Sequence, residues 1–269
     1  MMIKAFKLTK LLLYLVLFPA YFVISIGLTI LTDKVLLSFV IAIILLLVGI
    51  VVLEFYAKKK YADKYSTFAE ECDPETYRDF LLEMLSKKLS NDIRIEVSLD
   101  LSYAYYHCGD FQQMKNLLDG IDFRQIKSKK KNIRVEGLKF KYYDMWLFYF
   151  MQLKDLESAE KVLNDIDNLY FSSDEVLKKM NESALEIKHL SFDANKDVIP
   201  DIEEKVAQKT KPDKMLYKVS DKIFLGKYYL RNGMNDKAKE CLEFVVEHGN
   251  KLYMVKEAQS ILKDLNKEN

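Results

Sequence analysis

The chain is poor both in residues that break helices and in residues that perform chemistry. Its 269 residues include only 8 glycines and 4 prolines, a composition that makes few turns and favours helix. Neither G-x-x-x-x-G-K-S/T nor G-x-G-x-x-G occurs, so no glycine-rich loop is available to cradle phosphate. Cys72, Cys108 and Cys241 are odd in number, widely spaced and lack a C-x-x-C pair. That excludes a disulfide framework and a thiolate zinc site, and reads as buried free thiols. Histidine occurs three times. His107 adjoins Cys108, but neighbours on a helix point about 100° apart, so the pair makes neither a metal site nor an activated nucleophile. His189 and His248 are isolated. H-E-x-x-H and G-x-S-x-G are absent, and acid pairs such as Glu70-Glu71 and Glu203-Glu204 sit on charged, solvated faces. No catalysis, metal or cofactor is expected.

Arginine is also scarce, five of 41 basic residues, which removes the side chain best suited to bidentate phosphate and base-edge contacts. The net charge of +1 hides an asymmetry. Residues 1–60 hold seven lysines against two acids, leaving 34 basic and 38 acidic groups in the other 209. The mildly acidic remainder gives no electrostatic reason to bind nucleic acid.

What is abundant comes first in the chain. Leu11 to Leu31 and Val35 to Leu53 are uncharged runs of 21 and 19 residues, each about 30 Å long as a helix. The expectation is a transmembrane hairpin over residues 1–56, with spans at about 11–31 and 35–53 in contact with membrane lipid. Lys4, Lys7 and Lys10 before it and Lys58, Lys59 and Lys60 after it place both termini in the cytoplasm of a multi-pass cell-membrane protein. The lysine-, isoleucine-, asparagine- and tyrosine-rich usage points to an AT-rich bacterium.

From Tyr56 onward apolar residues recur at i, i+3, i+4 and i+7, the period of amphipathic helices. The second span is expected to continue as helix to Cys72. Asp73-Pro74-Glu75 then starts another, with an N-cap, a first-turn proline and an acid near the positive helix end. Residues 57–90 read as a connecting helix and half-repeat, and 91–269 as a repeat domain closed by the helix "LYMVKEAQSILKDL".

The repeats show in spacing. Leu101, Ser102 and Tyr105 precede Gly109-Asp110-Phe111 and Met114; Leu225, Gly226 and Tyr229 precede Gly233 and Ala238. "KFKYYDMWLFYFMQLKDLESAE" repeats the pattern, with Tyr143, Trp146, Leu147 and Phe150 before Lys154-Asp155-Leu156 and Ala159. A degenerate copy with a turn near Asn195 and Asp201 at the small site completes the series. This pattern resembles the tetratricopeptide repeat. Small residues at fixed points let paired helices approach closely, and each hairpin leaves an apolar face for the next to cover. The expected fold class is therefore all-α: a transmembrane helical hairpin followed by a TPR-like α-solenoid.

The resemblance implies a concave surface that binds a protein or peptide, here a membrane-associated partner, without catalysis. Carried onto this chain, the lining is Leu99, Tyr103, Tyr106 and His107; Lys141, Phe148, Met151 and Gln152; and Lys227, Leu230 and Arg231. A basic segment, Arg124, Lys127, Lys129, Lys130, Lys131 and Arg134, is a candidate contact for acidic lipid or an acidic partner. The leading expectation is a membrane-anchored interaction scaffold. The alternatives are an assembly factor or structural subunit acting through its hairpin, and an enzyme or small-molecule sensor with a site of unrecognised form.

Overall fold

The computed structural model describes residues 18–32, 35–126, 133–209 and 214–268. Among these residues there is no strand. The helices in chain order are α1 (Phe18–Thr32), α2 (Val35–Glu71), α3 (Pro74–Leu85), α4 (Asn91–Cys108), α5 (Phe111–Asp119), α6 (Ile133–Leu153), α7 (Leu156–Ser172), α8 (Glu175–Asp193), α9 (Ile202–Lys209), α10 (Met215–Arg231), α11 (Asn235–His248) and α12 (Tyr253–Glu268).

Several helix starts follow from capping chemistry. Asp73, Asp110, Asp155 and Asp174 accept hydrogen bonds from the first-turn amides of Thr76, Gln113, Ser158 and Val176, at 2.9 to 3.3 Å. Each satisfies a donor that the helix cannot reach.

Three hairpins share one turn. Gly109, Lys154 and Gly233 take positive φ, at 79°, 58° and 70°. The amide after each bonds five residues back, Asp110 to Tyr105 (2.9 Å), Asp155 to Phe150 (3.0 Å) and Met234 to Tyr229 (2.9 Å). This is the left-handed helix stop, which ties off orphan carbonyls and sends the chain into the next helix. Four residues past each cap, Met114, Ala159 and Ala238 are fully buried. Across from the last, a Cβ on Gly226 would lie 3.1 Å from Leu242, so α10 and α11 meet at the distance glycine allows. The 175–209 segment lacks this turn. α8 ends at Asp193, α9 starts only at Ile202, and Asp201 is an exposed left-handed residue before α9 while Ile202 and Val206 are buried.

The hairpins α4/α5, α6/α7 and α10/α11 pack with α8 and α9 so that α4 lies on α6, α6 on α8 and α9 on α10. The chain then closes on itself. α10 packs on α2 and α12 on α4, and one core joins Phe68, Tyr77, Leu81, Val97 and Leu101 to Leu216, Val219, Leu242, Leu252 and Ala258.

The membrane hairpin is overturned. Among the described residues no helix is long and apolar enough to cross a membrane. α1 covers 15 described residues, about 22 Å, and the residues on either side of it lie outside the description. α2 runs unbroken from its apolar start through Lys58, Lys59 and Lys60 into the half that packs on α3 and α10. Residues 1–17, 33 and 34 lie outside the described residues, with the first part of the expected span and its flanking lysines. The multi-pass cell-membrane placement falls with the hairpin. What the structure presents there is apolar surface, with Val23, Ile30, Val51 and Phe55 exposed.

The aromatic helix α6 also packs differently from its expected division into one packing face and one groove face. Met145 and Leu147 are buried, whereas Tyr143, Trp146 and Phe150 are half-buried. The reason is position: α6 is flanked by α4 and α5 on one side and α7 and α8 on the other, so Met145 and Leu147 join different cores.

Candidate functional site

On α6, Lys141, Asp144, Phe148 and Gln152 follow each other at three- and four-residue steps and so share one stripe. Each meets a different element. Lys141 pairs with Asp100 of α4, which also accepts the Tyr61 hydroxyl of α2. Asp144 pairs with Lys188 of α8 at 3.1 Å. Phe148 stacks on Tyr106 of α4, centroids 5.4 Å apart. Gln152 Oε1 lies 3.0 Å from the Tyr253 hydroxyl of α12.

α12 completes the arrangement. Tyr253 and Glu257, one turn apart, face three helices together: the Tyr253 hydroxyl is also 3.2 Å from that of Tyr106, and Glu257 pairs with Lys227 of α10 at 2.5 Å. Tyr253 also packs over the turn at Gly109, with its Cβ 2.8 Å from where a Cβ on that glycine would sit. α12 thus covers the surface where α4, α6 and α10 meet.

The electrostatics are those of a half-dry, internally paired surface. Burial raises the Asp144 carboxyl above its ordinary value, and Lys188 opposes the shift. Burial pushes the Tyr106 phenol up to about 12 and raises Tyr61 and Tyr253 further, so all three are neutral hydrogen-bonding groups. His107, 1% exposed, is lowered to about 3 by burial alone, and neither ring nitrogen has a partner. Its neighbours are the rings of Phe68, Tyr103 and Tyr106. Cys108 is pushed up to about 11 by burial and stays a thiol, which removes the nucleophile from the His107–Cys108 pair.

The lining residues expected from sequence separate into three groups. Tyr106, Gln152 and Lys227 meet α12 and Phe148 stacks on Tyr106, while Lys141 lies further along the α6 stripe on Asp100. Leu99 is fully buried, and Tyr103 and His107 pack in the core with Phe68. Met151 packs toward the α7 core, Leu230 is wedged between two cores, and exposed Arg231 lies over the Tyr228 ring. Asp100, Asp144, Lys188, Tyr253 and Glu257 were missed. The signal for Asp100 was an acid between Leu99 and Leu101, the one charged residue in the 97–106 stretch of α4, and for Asp144 its place on the stripe. Nothing local marks Tyr253 or Glu257, because their partners lie about 100 residues or more upstream in one case and on another helix in the other.

The basic segment is not a free cationic patch at its described ends. Arg124 is held by Asp122 at 2.8 Å, and Arg134 pairs with Asp92 and Glu96 at 2.7 and 2.6 Å, tying α6 to α4. Lys127, Lys129, Lys130 and Lys131 lie outside the described residues.

Among the described residues no group of three or more His, Cys, Asp and Glu side chains is placed to hold a metal. Two clefts of about 510 and 440 Å³ at α9, α10 and α11 share Glu203, Tyr229 and Lys237. Glu203 in them is already engaged by the Tyr229 hydroxyl and Lys237. No protein-family model matches the chain, and no curated protein or solved structure matches it either.

Proposed function

We propose that this protein is a TPR-like interaction scaffold that binds a helical segment of a partner protein on the surface where α4, α6 and α10 meet. The observation that carries the reading is the meeting of Tyr106, Gln152 and Lys227 from α4, α6 and α10 against α12, with Phe148 stacked on Tyr106 and Lys141 further along the same stripe of α6. A surface of aromatic rings flanked by paired charges offers a helix both apolar contact and fixed polar partners, which is the helix-in-groove mode of recognition. Stacked hairpins supply such a surface without chemistry of their own.

The test is site-specific crosslinking in the producing cell, with a photoreactive phenylalanine analogue at Phe148 in the full chain and, separately, at exposed Lys239 of α11. The expected result is one recurrent partner crosslinked at Phe148, lost on Lys141→Ala/Gln152→Ala and absent at Lys239. Equal crosslinking at both positions, or none at Phe148, would remove this surface as the binding site.

A further inference from the structure

We propose that α12 is a displaceable strap that occupies the groove in cis, and that the groove's partner is an amphipathic helix carrying an aromatic hydroxyl and a carboxylate one turn apart. This rests on the scaffold reading and adds to it the resting occupant and the chemistry of its competitor. The occupant defines the fit. Tyr253 reaches Tyr106 and Gln152, and Glu257 reaches Lys227, so these two positions of a docked helix engage α4, α6 and α10 together.

Two features favour release over permanent closure. The apolar hold is smaller than that of the central helices: α12, packed on α11 and α4, buries Met254, Ala258 and Leu265 and half-buries Tyr253, Ile261 and Leu262, against six buried hydrophobic side chains in each of α4 and α10. The polar hold is incomplete. Glu257 Oε2 is buried without a hydrogen-bond partner, although its other oxygen pairs with Lys227; a buried acceptor left unpaired opposes the closed state. The chain enters α12 at a fixed point, Gly249-Asn250, where Asn250 takes a positive φ of 46° and its side-chain amide donates to the Glu71 carbonyl. A partner helix that satisfies the same groups competes with a strap that its own chain holds at high effective concentration, so weakening the strap's contacts raises the partner's apparent affinity.

The experiment is an anisotropy titration of the full chain with a fluorescein-labelled synthetic peptide of residues 251–268. A control peptide carries Tyr253→Ala and Glu257→Ala. The chain is used as wild type and as Tyr253→Phe/Glu257→Gln, which weakens its own strap. The native-sequence peptide is expected to bind the variant chain at least ~10-fold tighter than wild type, and the control peptide at least ~10-fold more weakly than the native one. A folded variant that binds no tighter, or two peptides that bind alike, overturns the proposal. Should the variant fail to fold, hydrogen exchange on the wild-type chain decides: α12 amides exchanging well ahead of those of α4 and α10 support a strap, and exchange in step with them overturns it. Neither readout touches the crosslink at Phe148, so loss of the strap and loss of the scaffold reading are separate results.

Discussion

At the scale of single residues, burial decides what a polar side chain can do. His107 is the clearest case, because its imidazole sits among three aromatic rings with both nitrogens unpaired. Its folded value, about 3, lies below its ordinary 6.5. The neutral ring therefore contributes stability that is fully present above about pH 6.5 and is lost as pH falls toward the folded value, by about 1.4 kcal/mol per pH unit. Between pH 7 and 5, His107→Leu is expected to gain on wild type by about 2 kcal/mol in urea titrations; a constant difference would mean that the ring finds a partner in solution. Leu99 shows the opposite lesson. Nothing in its sequence position separates a groove residue from a core residue, but at 0% exposure it belongs to the core, and Leu99→Ala is expected to lower the unfolding free energy by about 2–5 kcal/mol.

At the scale of elements, the shared turn explains how hairpins with little sequence in common adopt one geometry. A left-handed residue stops the first helix, the next residue caps the second, and the fourth after it is buried where the helices cross. The crossing of α10 and α11 depends on the missing Cβ of Gly226, so Gly226→Ala must push Leu242 aside and is expected to cost about 1–3 kcal/mol, read as a lower melting temperature. For α6 the expectation is equality. Trp146 and Phe148 are both half-buried against different neighbours, so Trp146→Ala and Phe148→Ala should destabilise by similar amounts, about 2–3 kcal/mol each in denaturant titrations. A large gap between them would restore a division of this helix into a packing face and a free face.

At the scale of the whole molecule, closure matters more than repetition. A linear array of hairpins has free ends and unfolds from them, because each unit contacts only its neighbours. Here the core shared by α2, α3, α4, α10, α11 and α12 ties residues near 70 to residues near 250, reinforced by Lys251 on Asp73 at 2.8 Å and Asn250 on the Glu71 carbonyl at 2.7 Å. Unfolding is thus expected to be a single transition. The fluorescence of Trp146, the one tryptophan, in α6, should report the same urea midpoint as far-UV circular dichroism, which averages every helix. Separated midpoints would show that the α6 hairpin melts apart from the closed core.

Helix, hairpin turns and buried small sites were legible in the chain because they depend on residues a few positions apart: an aspartate next to the stop residue, a glycine or alanine at the crossing, apolar residues at helical spacing. The stripe Lys141, Phe148, Gln152 was legible for the same reason. The membrane assignment rested on the apolarity of two runs of sequence, and among the described residues no helix is both long and apolar enough to cross a membrane. The occupant of the groove, the burial of Leu99 and His107, and the pairing of Lys227 with Glu257 depend on which distant helices meet. Those contacts were decided only by the tertiary structure, when α10 came back onto α2 and α12 onto α4 and covered the surface where α4, α6 and α10 meet.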